Sequence, residues 1–265
     1  MENQNKLVVP TMQEFMAQGK SPEVLFWVGC SGSFDDRAKK ITKAFVRLLN
    51  KANVEFAVLG AEESCTGDPA KRAGNEFLFQ MQAAMNIEVL NGYEIKKIVT
   101  ACPHCFNTIK NEYPGLGGSY EVVHHTTFLK QLLDDGRLTI EGGAFAGKKI
   151  TYHDPCYLGR ANNIYEAPRD LIAKLDAELV EMKRCRTKGL CCGAGGAQMF
   201  KEPEPGDKDI NMERTDEAIE TGAKIVAAGC PFCNTMLTDG VKSSAEEGKI
   251  EVLDLAEMIA TAAEL

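Results

Sequence analysis

Nine of the ten cysteines in this chain fall into two copies of one pattern, and no other feature constrains the fold as strongly. The first copy is Cys30, Cys65 and Cys102-Pro103-His104-Cys105; the second is Cys156, Cys191-Cys192 and Cys230-Pro231-Phe232-Cys233. Cys65 follows Cys30 by 35 positions, and Cys191 follows Cys156 by the same 35; the next intervals are 37 and 39. Each copy closes on C-P-x-C. Scattered core thiols have no reason to keep such intervals, so the chain reads as a duplicated module with a metal site in each copy.

The repeat extends beyond the thiols. Ile98-Val99-Thr100-Ala101-Cys102-Pro103 resembles Ile225-Val226-Ala227-Ala228-Gly229-Cys230-Pro231 in character, and Glu121-Val122-Val123 returns as Glu251-Val252-Leu253. Short apolar, β-branched runs predict strands at 24–28, 56–59, 97–101 and 120–123, and again at 149–152, 179–182, 224–228 and 250–253. Helical periodicity lies between them. Ala38, Ile41, Ala44, Phe45 and Leu48 are spaced three to four apart within 37–51, and a second helix is expected over 72–90. The predicted fold class is α/β, with two pseudo-symmetric repeated modules, each a four-stranded parallel sheet with flanking helices. The expected division is an N-terminal arm over 1–21, a first cysteine-rich module over 22–140 and a second over 148–265. Between them, Asp135-Gly136, Gly142-Gly143 and Gly147 break the periodicity.

Cys30, Cys102, Cys156 and Cys230 all stand at or just beyond the C-terminal end of a predicted strand, the edge where open α/β sheets bind ligands. Helices starting directly after them would direct positive N-termini at thiolates. A net charge of −8 with no basic stretch argues against nucleic acid as a partner. No segment approaches the ~18 apolar residues of a membrane span, and the N-terminus lacks a signal-like apolar core, so direct membrane insertion is not expected and a cytoplasmic location is. Ten cysteines in such a chain point to metal or redox chemistry rather than structural disulfides.

Three readings compete for the thiols. Structural zinc favours paired C-x2-C motifs, whereas each copy here has one, and the second offers five thiols to a metal that takes four. Zinc in the first copy alone stays open. Thiol–disulfide exchange fits Cys102-Pro103-His104-Cys105 locally, but leaves Cys30 and Cys65 unexplained. Iron–sulfur clusters suit four or five convergent thiolates best.

The Cys191-Cys192-Gly193 signature, with Cys156 before it and Cys230-x-x-Cys233 after it, resembles the cysteine-rich CCG domain. That domain occurs twice in the B-type subunit of heterodisulfide reductase, and in iron–sulfur subunits of glycolate oxidase, lactate-utilisation and anaerobic glycerol-3-phosphate dehydrogenase complexes. The likeness covers roughly residues 22–262. It implies that Cys156, Cys191, Cys192, Cys230 and Cys233 hold one non-cubane [4Fe-4S] cluster. The first copy departs from the pattern, since Ser64-Cys65-Thr66-Gly67 places Thr66 opposite Cys192. A hydroxyl is a poor iron ligand. Cys30, Cys65, Cys102 and Cys105 are therefore left as metal candidates for a second iron–sulfur cluster of cubane type, for another metal, or for none.

Other residues carry weaker signals. Cys185 has no counterpart and reads as a bystander. His104 and His153 are candidates for hydrogen bonds to cluster sulfur, and His124-His125 are expected to cap the following helix. Gly193-Ala194-Gly195-Gly196 suits close backbone approach to a cluster. Arg160 is a candidate to offset cluster charge, to grip an anionic substrate, or to form a surface salt bridge. Residues 201–209 read as a solvated loop or a lid facing a partner. No flavin, nicotinamide or haem motif is visible. The resemblance then implies an electron-transfer oxidoreductase subunit served by a ferredoxin-like iron–sulfur subunit and a flavoprotein, and peripheral to a membrane through them. Disulfide, 2-hydroxy acid and quinone-linked chemistry all stay open. The alternatives are a zinc- or metal-stabilised scaffold without turnover and a C-x-x-C oxidoreductase.

Overall fold

Eight short strands form two four-stranded sheets in a computed structural model that describes residues 7–140, 143–202 and 205–265. The first sheet contains Val24–Trp27 (β1), Phe56–Ala57 (β2), Lys97–Thr100 (β3) and Glu121–His124 (β4), in the order β2-β1-β3-β4. The second contains Lys149–Tyr152 (β5), Glu178–Leu179 (β6), Ile225–Ala228 (β7) and Glu251–Asp254 (β8), in the equivalent order β6-β5-β7-β8. All pairings are parallel. The central strands β1 and β7 are buried along their whole length, as continuous apolar runs between helical layers require.

All eight predicted strands are present, β2 ending two residues earlier than expected. β6 is shorter and earlier than expected, although Val180 N still donates to Ile150 O at 2.8 Å. The register also resolves how the halves correspond. Leu25 pairs with Ile98 and Thr151 with Val226, which equates Ala101 with Gly229 and Cys102 with Cys230 without an insertion.

Helix Asp36–Lys51 begins where expected, with the Asp35 side chain accepting from Ala38 N at 2.7 Å. The helix expected over 72–90 is instead two, Asp68–Arg72 and Glu76–Gly92. The break has a local cause. Gly74 adopts φ 87, outside helical space, and the Asn75 side chain caps the second helix through Leu78 N.

The two halves share one core. Phe26, Ile41, Phe45 and Leu48 from the first half pack in the same apolar cluster as Ile150, Ile225, Leu255 and Ile259 from the second. Helix Leu255–Ala262 lies against helix Asp36–Lys51. Arg37 grips Glu257 through two 2.7 Å hydrogen bonds, and Lys51 reaches Ala263 O at 2.7 Å. The described part of the N-terminal arm packs on the body. Met12 N donates to Val58 O at 2.9 Å, and Met12 itself is buried. Residues 1–6 of that arm lie outside the described residues, as do Glu141 and Gly142 of the expected boundary and Pro203 and Glu204 of the 201–209 loop.

Candidate metal centres

The loops leaving the C-terminal edge of each sheet bring the thiols together. In the second half, β5 continues through His153, Asp154 and Pro155 to Cys156, while β7 leads through Gly229 to Cys230. Cys230 is the N-cap of helix Pro231–Lys242, and its Sγ lies 3.5 Å from Cys233 N. Proline at the first helical position loses no hydrogen bond there, which explains why C-P-x-C forms this turn. Cys192 Sγ lies 3.2 Å from Cys233 Sγ, and Cys191 Sγ accepts from Gly193 N at 3.3 Å. Gly193 has φ 90, a conformation that lets its amide turn back onto the sulfur. Side-chain hydrogen bonds link Cys156 to Cys191, Cys191 to Cys192, Cys192 to Cys233, and Cys230 to Cys233, so all five thiols form one connected set.

The first half gathers four. Cys30 bonds Cys65, Cys102 bonds Cys105, and the pairs lie close enough to perturb one another electrostatically. Thr66 occupies the place of Cys192, buried, with Oγ1 3.9 Å from Cys105 Sγ. Asn86 holds this loop by donating to Cys65 O at 3.0 Å, and Tyr113 Oη donates to Thr66 O at 3.2 Å. The Glu63 carboxylate accepts from Val28 N at 2.9 Å and Gly29 N at 2.5 Å; burial nevertheless pushes it up to about 7.

Each set contains thiols poised to ionise. The hydrogen bond from Cys30 brings Cys65 down to about 6. Burial opposes ionisation of Cys230, but hydrogen bonds from Cys233 and His104 outweigh it and lower the thiol to about 5. Contact with Cys156, then Cys192, holds Cys191 well below the ordinary thiol range, while their partners Cys30, Cys156 and Cys233 are held up. A set in which some sulfurs are thiolates and the rest donate to them is matched to a cation that displaces the shared protons. All ten cysteines are free thiols, so no disulfide competes for this role. Five close-packed sulfurs fit an iron–sulfur cluster and exceed what tetrahedral zinc uses.

The two sets adjoin. His104, third in its C-P-x-C turn, hydrogen-bonds Cys230 of the other half, and its ring meets Phe232, third in the other turn, at 5.2 Å. Tyr157 covers His104 at 4.7 Å. Asp68 anchors His104 Nδ1 at 2.9 Å and is itself held by Arg72 at 3.0 Å. Burial alone would lower His104, but Asp68 and Cys230 raise it well above the ordinary histidine range. His153 is the opposite case. Burial and the Arg214 charge lower it to about 3, and one of its ring nitrogens lies within 4.8 Å of the sulfurs of Cys192 and Cys233.

Several expectations are corrected. No helix follows Cys156 directly; turns occupy 156–162, and the next helix starts at Glu166. His124 stands at the N-cap of helix His125–Asp134 without a capping bond, because its Nδ1 engages Thr126 Oγ1 at 2.7 Å. His125 instead crosses to the other half, with Nε2 2.8 Å from Asp254 Oδ1. Arg160 makes no salt bridge among the described residues; it donates to Gly189 O at 2.6 Å, steadying the loop before Cys191. Cys185 lies outside both sets, its neighbours being Glu181, Arg169, Asp154 and Arg186. Lys201, Lys208 and Asp209 from the 201–209 loop border a 530 Å³ cavity with Gly193, Ile210 and Met236. Arg214, Glu63, Asp68 and Asn86 carried no spacing signal, and the helix that Asp68 opens was not expected from the sequence.

The family profile described as "CCG: Cysteine-rich domain" matches residues 24–110 and 150–238. The chain is 45% identical over 253 residues to the probable iron-sulfur-binding oxidoreductase FadF of Bacillus subtilis, covering 95% of this chain and 36% of that protein. It is 44% identical over 247 residues to the EtfAB:quinone oxidoreductase of Syntrophomonas wolfei, covering 91% of this chain and 34% of the other. The D-type subunit of the dihydromethanophenazine:CoB–CoM heterodisulfide reductase of Methanosarcina barkeri is 35% identical over 249 residues, or 91% of this chain and 59% of that protein. The chain thus spans about a third of the first two proteins and three-fifths of the third. No helix among the described residues is long and apolar enough to cross a membrane.

Proposed function

The chain belongs to the CCG cysteine-rich domain family, and on that premise we propose that it is an iron–sulfur electron-transfer subunit of a multi-subunit oxidoreductase, of the heterodisulfide-reductase-B-like type. Its second set, Cys156, Cys191, Cys192, Cys230 and Cys233, would hold a non-cubane [4Fe-4S] cluster. Cys30, Cys65, Cys102 and Cys105 would hold a second cluster or another metal. The observation that carries this reading is the single connected set of five free thiols in one half, against four thiols and a hydroxyl in the other.

When bound, the cluster supplies one-electron transfer. The protein's own contribution is burial of Cys192, Cys230 and Cys233, which excludes water, and a His104 hydrogen bond to Cys230 that offsets thiolate charge. A bare C-x-x-C dithiol mechanism is disfavoured because Cys102 and Cys105 are 3% and 6% exposed, leaving no approach for an external disulfide. The similar proteins are named as oxidoreductases, one of them acting on a quinone and one as part of a heterodisulfide reductase. By analogy, electrons would pass through a ferredoxin-like iron–sulfur partner and a flavoprotein, and membrane attachment would come through such partners.

Anaerobic purification with iron and acid-labile sulfide analysis tests the proposal, combined with EPR of two variants. Cys192→Ser should abolish the cluster signal, and Cys65→Ser should leave it largely intact. A colourless protein without iron, or equal loss from both substitutions, would overturn the assignment.

A further inference from the structure

We propose that His153 is a fixed hydrogen-bond donor to the sulfur of a cluster held by the second cysteine set, locked in one tautomer by Arg214, and is not a metal ligand. This rests on the iron–sulfur reading for its consequence, but the lock itself is a property of the protein. A cluster of one histidine and two cysteines, all buried and converging within 4.8 Å, has the composition of a metal site, and composition alone would count His153 among the ligands.

The hydrogen-bond polarity excludes that. Arg214 is fully buried, and a guanidinium has only donors and keeps its charge throughout the accessible pH range. Its Nε–H donates to His153 Nδ1 at 3.0 Å. Its orientation is held by Nη1, which donates to Arg184 O and to Glu217 Oε2, each at 2.8 Å. Nδ1 must therefore offer a lone pair, which puts the ring proton on Nε2. Nε2 is buried without a hydrogen-bond partner among the described residues. With Nδ1 occupied by Arg214, Nε2–H is the free end of the ring; no cysteine sulfur among the described residues lies in hydrogen-bond reach of it, so the acceptor left to it is sulfur brought in by a bound cluster. A nitrogen that carries a proton cannot coordinate iron.

The other half supplies an independent parallel. Trp27 lies three residues before Cys30, as His153 lies three before Cys156. It is also fully buried, its Nε1 also lacks a partner among the described residues, and it packs in one apolar cluster with Cys102 and Cys105. An indole nitrogen can only donate. The second half reaches the same polarity with a histidine whose acceptor nitrogen is occupied by arginine. A donor at this position strengthens as the cluster gains negative charge, so it raises the reduction potential.

The test uses the reduced, cluster-loaded chain together with His153→Leu and His153→Gln. Pulsed EPR of the wild type should show a weakly coupled nitrogen with an exchangeable proton. His153→Leu should lower the midpoint potential by about 59 mV, a tenfold shift for one electron. Glutamine, which can accept from Arg214 and donate to sulfur, should recover most of that. A strongly coupled, directly bound nitrogen, or an unchanged potential in the leucine variant, would overturn the proposal. If the chain takes up no iron, the iron–sulfur reading fails, yet 15N NMR of the metal-free protein still decides the lock. An Nε2-protonated His153 supports it, and an Nδ1-protonated ring sinks it.

Discussion

At position 66 an oxygen stands where the other half has sulfur. Thr66 Oγ1 lies 3.9 Å from Cys105 Sγ, and Cys192 Sγ lies 3.2 Å from Cys233 Sγ, so the two loops present equivalent positions to equivalent partners. The backbone around Thr66 is held independently of that side chain, through Asn86 to Cys65 O and Tyr113 to Thr66 O. Exchange of hydroxyl for thiol therefore needs no loop movement. Thr66→Cys is expected to raise the iron content after anaerobic reconstitution, or to add a second non-cubane EPR signal. No change in either would show that the Asn86–Tyr113 scaffold holds the loop too far from the other thiols. Residue chemistry was legible here from spacing alone, because matching 35-residue intervals place Thr66 against Cys192. The pinning by Asn86, 21 residues further on, had no such signal.

Among the elements, helix Pro231–Lys242 matters most to the site, since it carries Cys233 and is capped by Cys230. Its position is set by close packing on helix Ile210–Glu220, the helix that also carries Arg214. Gly240 makes the approach possible. A Cβ there would run into Thr215 Oγ1, 3.0 Å from Thr215 Cβ and 3.3 Å from Asn211 O. Gly240→Ala should cost about 1–3 kcal/mol, the usual range for overpacking a filled interface. Guanidinium unfolding would measure it, and adding Thr215→Ala should recover part of the loss. Additive losses in the double variant would mean that the two positions do not compete for space. The helices here were legible as periodic segments, but their crossing distance depends on which small residue faces which neighbour.

For the molecule as a whole, the internal repeat is misleading in one respect. Each half has its own sheet and thiol set, yet the core between the sheets is joint. Phe45 packs edge-on against Phe26 at 5.0 Å and against His125 at 5.8 Å, and His125 bonds Asp254 of the other half. Helix Leu255–Ala262 buries Leu255, Met258 and Ile259 in that shared cluster. Separated halves would expose this apolar surface at about 25 cal/mol per Å², against a net stability of only about 5–15 kcal/mol for a typical protein. Residues 22–140 and 148–265 expressed apart should therefore lack cooperative thermal unfolding by circular dichroism, and mixing them should restore it. A half that melts cooperatively alone would show that the joint core is dispensable.

What the sequence determined by itself was everything that repeats. Cysteine intervals, β-branched runs and apolar periodicity are local properties of the chain, and a duplicated pattern reports them twice. They were sufficient for eight strands, two parallel sheets and a thiol beyond the end of both central strands in each half. The tertiary structure alone decided how the two halves meet, with His104 of one C-P-x-C turn on Cys230 of the other and His125 on Asp254, and it alone placed Arg214 on His153, 61 residues apart within the second half. These contacts follow no period and no fixed separation. The direction of a hydrogen bond between two buried side chains depends on what else surrounds each of them, and only the assembled core brings those surroundings together.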